Sequence, residues 1–292
     1  MKNKHITVVL ALAAGAGLVR ADSTVNPVHR YAYGANVGWI DARADGTNGA
    51  VLGHSYCAGY LWSGNVGWIG LGNGPTNGWR YSNASAGDWG VNHDGAGRLT
   101  GHAYGANIGW LTFEQTFGQP RIDLLTGNLS GHAWGANVGW ISLANSQAYV
   151  RTDTLGTGPD TDGDGLPDAW EIEKAGELAA LGNALDPDSD DDGVPDADEY
   201  GADTDPLDPA SRLAITAFAR AGGTDEATWP AAQTRLYRLV QADSLAAAPL
   251  VWTDSGHGLI APAGSPEITR GVSDPAATQR YYRVQAVVPL SP

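Results

Sequence analysis

The feature that most constrains the fold is a short segment that occurs four times in the first half of the chain. The copies read YAYGANVGWI from residue 31, GYLWSGNVGWI from Gly59, GHAYGANIGWL from Gly101 and GHAWGANVGWI from Gly131. The shared asparagine falls at positions 36, 65, 107 and 137, so the intervals are 29, 42 and 30 residues. The long interval contains an insertion rich in Gly, Asn and Trp between Leu71 and Asp94. A period near thirty residues indicates a repeated supersecondary unit that buries its apolar face against its neighbours.

Each copy predicts a β-hairpin. A short alternating strand leads into a tight loop of Gly, Ala or Ser, and Asn, and Gly-Trp-Ile then starts the return strand. Gly and Asn suit such a loop because both residues tolerate positive φ. Four hairpins give about eight strands, which can close as a sandwich or a barrel, and no helical periodicity occurs before residue 150. We therefore predict a mainly β chain with an N-terminal β-hairpin repeat domain over residues 27–150.

Tryptophan is concentrated in these repeats. Of the eleven Trp residues, eight lie before residue 150, and four of them share one repeat position: Trp39, Trp68, Trp110 and Trp140. We expect each hairpin to bury one indole in a stacked core, because a small β-repeat has little else to bury. A solvent-facing row of indoles would instead stack on sugar rings and would define a carbohydrate-binding module. The spacing is compatible with both arrangements.

Three histidines follow Gly in related frames. They are His54 in VLGHSY, His102 in LTGHAY and His132 in LSGHAW. We expect hydrogen-bonded structural histidines, because a repeat position normally serves packing. Equivalent residues of neighbouring hairpins can also converge, however, and imidazole is a good ligand for copper or zinc. This Trp- and His-rich half resembles copper-binding surface proteins of methane-oxidising bacteria, in which two histidines and an oxidised tryptophan hold copper. The resemblance implies copper as the alternative metal, and convergence of the repeated positions would make His54, His102 and His132 its ligands.

An acidic pattern, D-x-D-x-D-G-x-x-D-x-x-E, occurs twice after the repeats. The first copy offers Asp160, Asp162, Asp164, the carbonyl of Leu166, Asp168 and Glu171, and the second offers Asp188, Asp190, Asp192, the carbonyl of Val194, Asp196 and Glu199. Calcium prefers six to eight oxygens at about 2.3–2.6 Å, so alternate side chains of a coiled loop must converge on one point, and Gly at the sixth position allows the sharp turn. Magnesium demands a tighter octahedron with fewer carboxylates. The pattern predicts two calcium sites, and the competing interpretation is a disordered acidic linker.

The flanks of these loops differ from those of EF-hands. The segment TLGTGP before the first loop cannot be helical, and only AWEIEKAGELAALG after it is a plausible helix. The Asp-rich loops, the Leu-Pro or Val-Pro after each Gly, and the closing GADTDPLDPAS resemble bacterial thrombospondin type 3 repeats. This resemblance implies a calcium-binding spacer of a secreted or surface protein over residues 158–210, with one short helix. A third unit, formed by Asp203, Asp205 and Asp208, lacks the Gly and the Glu, so it assists the second site at most.

The last region, residues 211–292, predicts a small β-sandwich. The segments RLAITAF, RLYRLVQA, PLVWTDS, EITRGV and RYYRVQAVV alternate or are rich in β-branched and aromatic residues, with Pro and Gly between them. A Trp-Pro strand start, a YRL strand and a terminal YYRV strand resemble the fibronectin-III-like modules of secreted bacterial proteins.

The N-terminus predicts export. Lys2 and Lys4 precede an apolar run from Ile6 to Val19, and small residues precede a cleavage point after Ala21, as in a signal peptide over residues 1–21. The run is shorter than the ~20 residues that a membrane-spanning helix needs. No later stretch is long or apolar enough, so we predict a secreted or cell-surface protein with no transmembrane span in the mature chain. The single cysteine, Cys57, excludes an internal disulfide and is expected to be a small buried hydrophobe.

Charge and motifs restrict the function. Residues 160–208 contain eighteen Asp and Glu against one Lys, a charge of −17, while the whole chain carries −15, so the remainder sums to +2. The acidity therefore belongs to the loops, and no basic stripe indicates nucleic acid as a partner. The sequence has no GxSxG, no HExxH and no glycine-rich phosphate loop after a strand, which favours a protein that is not an enzyme. We predict a calcium-binding modular structural or adhesion protein, with calcium rigidifying the spacer between two β domains and with an unknown surface or extracellular ligand, protein or glycan. A copper-binding surface protein and a carbohydrate-binding module are the alternatives.

Overall fold

A computed structural model describes residues 22–45, 47–181, 187–246, 249–273 and 279–291 of the chain. The predicted signal peptide, residues 1–21, lies outside the described residues. Strands dominate the secondary structure, which confirms the mainly β prediction. No helix in the described part of the chain is both long enough and apolar enough to cross a membrane.

The first half of the chain forms strands β1 to β14. They are β1 (Val25–Gly34), β2 (Gly38–Asp41), β3 (Val51–Leu52), β4 (Cys57–Ala58), β5 (Tyr60–Ser63), β6 (Gly67–Gly70), β7 (Val91–His93), β8 (Leu99–Gly105), β9 (Gly109–Thr112), β10 (Arg121–Ile122), β11 (Leu129–Ser130), β12 (His132–Gly135), β13 (Gly139–Ser142) and β14 (Val150–Thr152). The four repeats are the antiparallel hairpins β1–β2, β5–β6, β8–β9 and β12–β13, as the sequence predicts.

The four hairpins close into an eight-stranded barrel. Each hairpin pairs with the next around the ring, in the order β1, β2, β5, β6, β8, β9, β12, β13. The ring closes because β13 also pairs with β1, with Tyr33 opposite Ser142 and Gly34 opposite Ile141. Of the two predicted alternatives, sandwich and barrel, the structure therefore shows the barrel.

Aliphatic side chains fill the barrel in layers of four. Because side chains alternate between the faces of a strand, the positions next to each aromatic residue point inward. The inward residues are Ile40, Ile69, Leu111 and Ile141 in one layer, Ala32, Leu61, Ala103 and Ala133 in a second, and Val37, Val66, Ile108 and Val138 at the hairpin loops. Cys57 is buried in the same core, as expected.

The prediction of a stacked indole core is wrong. The four repeated tryptophans, Trp39, Trp68, Trp110 and Trp140, are 49%, 42%, 48% and 45% exposed. They lie on the outer face because the interior of an eight-stranded barrel is just wide enough for side chains to fill. Ile and Ala already occupy that volume.

The repeated asparagines join the hairpins to each other. Each side-chain amide donates a 3.0 Å hydrogen bond to a backbone carbonyl in the adjacent hairpin loop: Asn36 to Val138, Asn65 to Val37, Asn107 to Val66 and Asn137 to Ile108. Together the four bonds form a closed ring, which we call the asparagine ring. None of these asparagines adopts a positive φ, contrary to the role that the sequence predicts for them. The left-handed residue is the Gly two positions later, Gly38, Gly67, Gly109 or Gly139, with φ between 75° and 80°.

The acidic spacer contains two helices rather than the single predicted one. They are α1 (Asp168–Ala175) and α2 (Asp196–Ala202), and a 3₁₀ turn spans Leu178–Ala180. Each helix begins directly after a proline, whose fixed φ is compatible with the first helical turn. The small core of the spacer consists of Leu166, Trp170 and Leu181, with Ala175 and Tyr200 packed against it.

The C-terminal region forms two three-stranded antiparallel sheets. Its strands are β15 (Ala217–Ala221), β16 (Thr224–Pro230), β17 (Leu236–Ala242), β18 (Thr253–Asp254), β19 (Glu267–Ser273) and β20 (Tyr281–Val287). Strand β16 lies between β15 and β19, and β17 lies between β18 and β20. Trp229 and Ile268 from one sheet and Tyr237 and Leu239 from the other share one core, as in the predicted sandwich. The Trp-Pro pair ends β16 and does not start a strand as predicted from the sequence.

Candidate metal centres

The first acidic loop brings three carboxylates together. One oxygen from each of Asp160, Asp162 and Asp164 lies within 4.8 Å of the other two. The loop is coiled around Asp160, whose Oδ1 accepts a hydrogen bond from the Gly163 N–H (2.8 Å) and whose Oδ2 accepts one from the Gly165 N–H (3.1 Å). Three like charges at this separation repel one another, so the arrangement favours a bound cation.

Glu171 is the most informative residue of the first loop. Its side chain lies in the first turn of α1, where it is 0% exposed. Neither Oε atom has a hydrogen-bond donor among the described residues. Burial, reinforced by the charges of Asp164 and Asp162, raises the pKa of Glu171 to about 7. A buried carboxylate without donors is unfavourable unless a cation balances it.

The second loop repeats this arrangement. Asp188, Asp190 and Asp192 each place an oxygen within 4.8 Å of the other two, and Asp188 accepts hydrogen bonds from the N–H groups of Asp192 (3.1 Å) and Gly193 (2.9 Å). Glu199 is 1% exposed. Its Oε1 accepts a hydrogen bond from the Thr204 hydroxyl (2.9 Å), while Oε2 has no partner among the described residues. Burial raises the pKa of Glu199 to about 7.

The aspartate at the ninth position of each loop accepts hydrogen bonds from the residue at the second position. The carboxylate of Asp168 accepts hydrogen bonds from the Thr161 N–H (2.7 Å) and hydroxyl (2.6 Å). Asp196 accepts the equivalent bonds from the Ser189 N–H (2.9 Å) and hydroxyl (2.7 Å). The acidic pattern predicts both aspartates as metal ligands. The sequence feature that indicates these hydrogen bonds within the loop is a hydroxyl residue, Thr161 or Ser189, at the second position.

The residue at the seventh position of each loop forms a hydrogen bond through its backbone N–H. The N–H groups of Leu166 and Val194 donate to the carboxylates of Asp164 and Asp192, at 2.8 Å in both loops. These bonds use Oδ1, and the Oδ2 atoms of Asp164 and Asp192 are buried without a partner among the described residues. Both loops therefore present an all-oxygen, carboxylate-rich donor set, which suits a hard cation such as calcium.

Asp203 links the two helices to the C-terminal region. It ends α2 in the left-handed conformation (φ 58°). Its Oδ1 accepts a hydrogen bond from the Trp170 indole N–H (3.1 Å) and forms an ion pair with Lys174 (3.2 Å). Its Oδ2 accepts a hydrogen bond from the Thr234 hydroxyl. These contacts commit Asp203 to α1 and to the C-terminal region, so it does not assist the second metal site as the sequence analysis allowed.

Arg235 strengthens the same junction. Its guanidinium is buried and donates hydrogen bonds to the carbonyl oxygens of Tyr200 and Gly201, the latter from Nε at 3.0 Å. Both carbonyls belong to the last turn of α2, where the helix dipole favours a positive charge. The C-terminal region therefore holds the helix that follows the second acidic loop.

The three histidines proposed for copper lie apart. His102 and His132 face outward on β8 and β12, and β9 lies between these strands, so the two histidines are more than two strand spacings of ~4.8 Å apart. The residue in line with His102 across Thr112 is Trp134, and His132 lies two positions before Trp134 on β12. Each packs against the Trp of its own hairpin, with ring centroids 6.1 and 6.0 Å apart. Among the described residues, only the two Asp triplets gather three metal-ligand atoms.

His54 has a different environment. The barrel register makes Tyr60, not His54, the equivalent of His102 and His132. His54 lies instead at the cleft between the barrel, the spacer and the C-terminal region, near Asp94 and Arg235. Burial lowers the pKa of His54 to about 3.

The outer face of the barrel carries a second feature that the sequence left open. Each hairpin has two aromatic residues in direct cross-strand register, and their ring centroids are 4.8 to 5.0 Å apart in the three pairs Tyr33–Trp39, Trp62–Trp68 and Tyr104–Trp110. The fourth pair in the same register is Trp134–Trp140. We call these eight residues the aromatic girdle. All of them are 39–49% exposed.

No protein-family model, no curated protein and no solved structure matches the chain.

Proposed function

We propose that this is an exported, calcium-binding structural or adhesion protein, in which two calcium ions stiffen the spacer between the barrel and the C-terminal sandwich. The observation that carries the proposal is Glu171, a fully buried carboxylate with no hydrogen-bond donor for either oxygen among the described residues, beside a triplet of aspartates. A cation provides the positive charge that this group lacks. The predicted signal peptide supports export, and the likeness of the loops to thrombospondin type 3 repeats supports calcium.

Calcium fits these loops better than magnesium does. Each loop combines three clustered Asp carboxylates with one buried Glu, and Glu171 has both oxygens available for bidentate binding. Calcium accepts such a large, flexible set of oxygens, whereas magnesium usually keeps several waters and binds one or two carboxylates. We therefore expect calcium to bind with magnesium present in excess.

The proposed role is mechanical rather than catalytic. Glu171 neighbours Trp170, whose indole holds Asp203, and Glu199 lies one turn before Asp203 on α2. Arg80 of the barrel insertion pairs with Glu173 of α1 at 3.9 Å. Two ions that fix the first turns of α1 and α2 would thereby fix helices that contact both β regions. In this proposal the carboxylates bind ions and the protein is not an enzyme.

Calorimetric titration of chelator-treated protein with calcium tests the proposal. We expect two calcium ions per chain, and one ion fewer, or at least about tenfold weaker binding at one site (about 1.4 kcal/mol), in Glu171→Gln. Glu173→Gln is the matched control, because Glu173 lies on the same helix with its side chain 47% exposed.

Two results would contradict the proposal. One is the absence of heat or stoichiometric calcium in the wild-type protein. The other is equal behaviour of Glu171→Gln and Glu173→Gln, which would show that the buried carboxylate is not a ligand.

A further inference from the structure

The outer face of the barrel has an unusual composition. The registers of the four hairpins define sixteen outward positions: Tyr31, Tyr33, Trp39, Asp41, Tyr60, Trp62, Trp68, Gly70, His102, Tyr104, Trp110, Thr112, His132, Trp134, Trp140 and Ser142. Ten of them are aromatic residues other than histidine. None is Lys, Arg, Leu, Ile or Val. The face therefore combines aromatic rings with small hydrogen-bonding groups and carries very little charge.

Hairpin stability accounts for only part of this composition. Cross-strand aromatic pairs do stabilise antiparallel strands. Such a stabilising role does not require the rings to stay accessible, yet every member of the aromatic girdle keeps 39–49% of its surface exposed. Clusters of exposed aromatic rings on a folded protein are typical of a binding site.

The chemistry of the face selects the class of ligand. Indole and phenol rings pack against the C–H faces of sugar rings, and hydroxyl, imidazole and carboxylate groups hydrogen-bond to sugar hydroxyls. Two such groups lie beside the girdle, Thr112 opposite Trp134 and Ser142 opposite Tyr33. The carboxylate of Asp41, opposite Trp62, is already paired with Arg30 at 3.2 Å. The outward positions have no Lys or Arg, and the guanidinium of Arg30, which reaches this face, is paired with Asp41 (3.2 Å) and donates to the Tyr31 hydroxyl (3.0 Å). Little positive charge is therefore left to attract anionic lipid or an acidic polymer. They also have no aliphatic side chain of the kind that enters hydrocarbon.

The geometry selects a repetitive ligand. Because the four hairpins surround the barrel axis, their aromatic pairs point outward in four directions. A single globular partner or a second copy of this chain would cover only one side of such a ring. Polymer chains can contact every side at once, and weak subsites on one protein then add by multivalency.

We propose that the aromatic girdle binds uncharged polysaccharide chains, with each hairpin forming one subsite. This inference deepens the proposed function, on which it rests, by naming the class of extracellular ligand. The calcium loops belong to a different region, so binding of the polysaccharide and binding of calcium can be measured separately.

Affinity electrophoresis of the full chain tests the inference. Native gels contain hydroxyethylcellulose, galactomannan or soluble β-1,3-glucan as neutral polymers, and alginate as an anionic one. We expect retardation by at least one neutral polymer and none by alginate. Replacing one girdle tryptophan, as in Trp39→Ala, weakens binding about two- to tenfold, and replacing all four repeated tryptophans abolishes it. Phe218→Ala is the control, because Phe218 is 54% exposed on β15 of the C-terminal region.

A second series of variants distinguishes lost binding from misfolding. The four Trp→Phe substitutions keep a cross-strand ring pair in every hairpin but present smaller faces, so we expect a folded barrel by near-ultraviolet circular dichroism and weaker retardation. Retardation that is unchanged in this series and in Trp39→Ala would overturn the inference. So would the absence of retardation by every neutral polymer, or preferential binding to alginate or to sedimented phosphatidylglycerol vesicles.

Repeating the gels with a chelator separates the two proposals. We expect retardation to persist, because the girdle contains no calcium ligand. Normal calcium binding without retardation contradicts only the polysaccharide inference. Retardation without any calcium binding contradicts only the calcium proposal.

Discussion

The barrel and the spacer are both built from repeats, but they differ in the side chains that they bury. The barrel buries aliphatic layers and satisfies its loop carbonyls through the asparagine ring. In the described part of the spacer the core consists of Leu166, Trp170 and Leu181, and two buried glutamates have oxygens without a partner among the described residues. The difference indicates that aliphatic packing stabilises the barrel, whereas the spacer would gain stability from the cations proposed above.

The largest effect should come from removing calcium. A ligand at a thousandfold excess over its Kd stabilises the folded state by about 4 kcal/mol per site, so chelation should destabilise the spacer by several kcal/mol and leave the barrel unchanged. A glutamyl endopeptidase should then cut after Glu171, Glu173 or Glu177, and scanning calorimetry should show a barrel transition that does not depend on calcium. Cleavage rates and calorimetric profiles that do not change when the chelator is added would contradict this difference between the two regions.

A core substitution should produce the opposite pattern. Ile69 is 0% exposed inside the barrel, so Ile69→Ala should lower the free energy of unfolding of the barrel by about 2–5 kcal/mol. Urea denaturation should give the same loss with calcium and with chelator. Val28→Ala is the control, because Val28 is 72% exposed and should change stability by less than about 0.5 kcal/mol. A loss that depends strongly on calcium would show that the barrel is not independent of the spacer.

The pH dependence of the calcium-free spacer is the third test. The folded pKa of Glu171 and of Glu199 is about 7, above the ordinary value of 4.5, because both carboxyls are buried. The folded state therefore retains protons that the unfolded state releases between these values. The resulting stabilisation is complete below about pH 4.5 and is lost as the pH rises through about 7. Apparent calcium affinity should change in the opposite direction, because protons compete for the same oxygens.

Denaturation in chelator at pH 5 and pH 8 measures this difference. The double variant Glu171→Gln, Glu199→Gln should flatten the profile, since an amide does not titrate. A wild-type profile as flat as that of the double variant would contradict the burial of these charges.

The smallest predicted effect concerns the asparagine ring. Asn107→Ala removes the 3.0 Å hydrogen bond to the Val66 carbonyl and opens the ring, at a cost of about 0.5–1.5 kcal/mol. Asn107→Asp should cost more, because a carboxylate would face that carbonyl. Urea denaturation in chelator checks both values. Equal stability of the wild type and both variants would show that the barrel closes without the ring.

Several elements could be predicted because the relevant chemistry is local. The hairpins follow from the alternation and loop residues of each repeat, and the Asp triplets follow from spacing within a twelve-residue loop. The helix α2 was missed because it has seven residues, one of them Gly201, and begins inside the acidic pattern. The role of Asp203 was missed because its partners, Trp170 and Thr234, lie 33 and 31 residues away.

The histidines show that similar short sequence segments can occupy structurally different positions. His54 follows Gly and lies two positions before an aromatic residue, as His102 does. In the strand register, however, the residue equivalent to His102 is Tyr60, because Tyr60 pairs with Gly70 in its hairpin as His102 pairs with Thr112. Register is set by the hydrophobic pattern of the strands and by the geometry of the turn, and a segment as short as GHSY does not contain that information.

The repeat unit, its hairpin form and the acidic loops can be read from the sequence, because each depends on residues close together along the chain. Which face of the hairpins is buried follows from the closure of the barrel. Both faces are apolar, one aliphatic and one aromatic, so alternation alone cannot choose between them. Closure of eight strands makes the choice: the interior accommodates Ile, Leu and Ala, and the larger Tyr and Trp rings must lie outside.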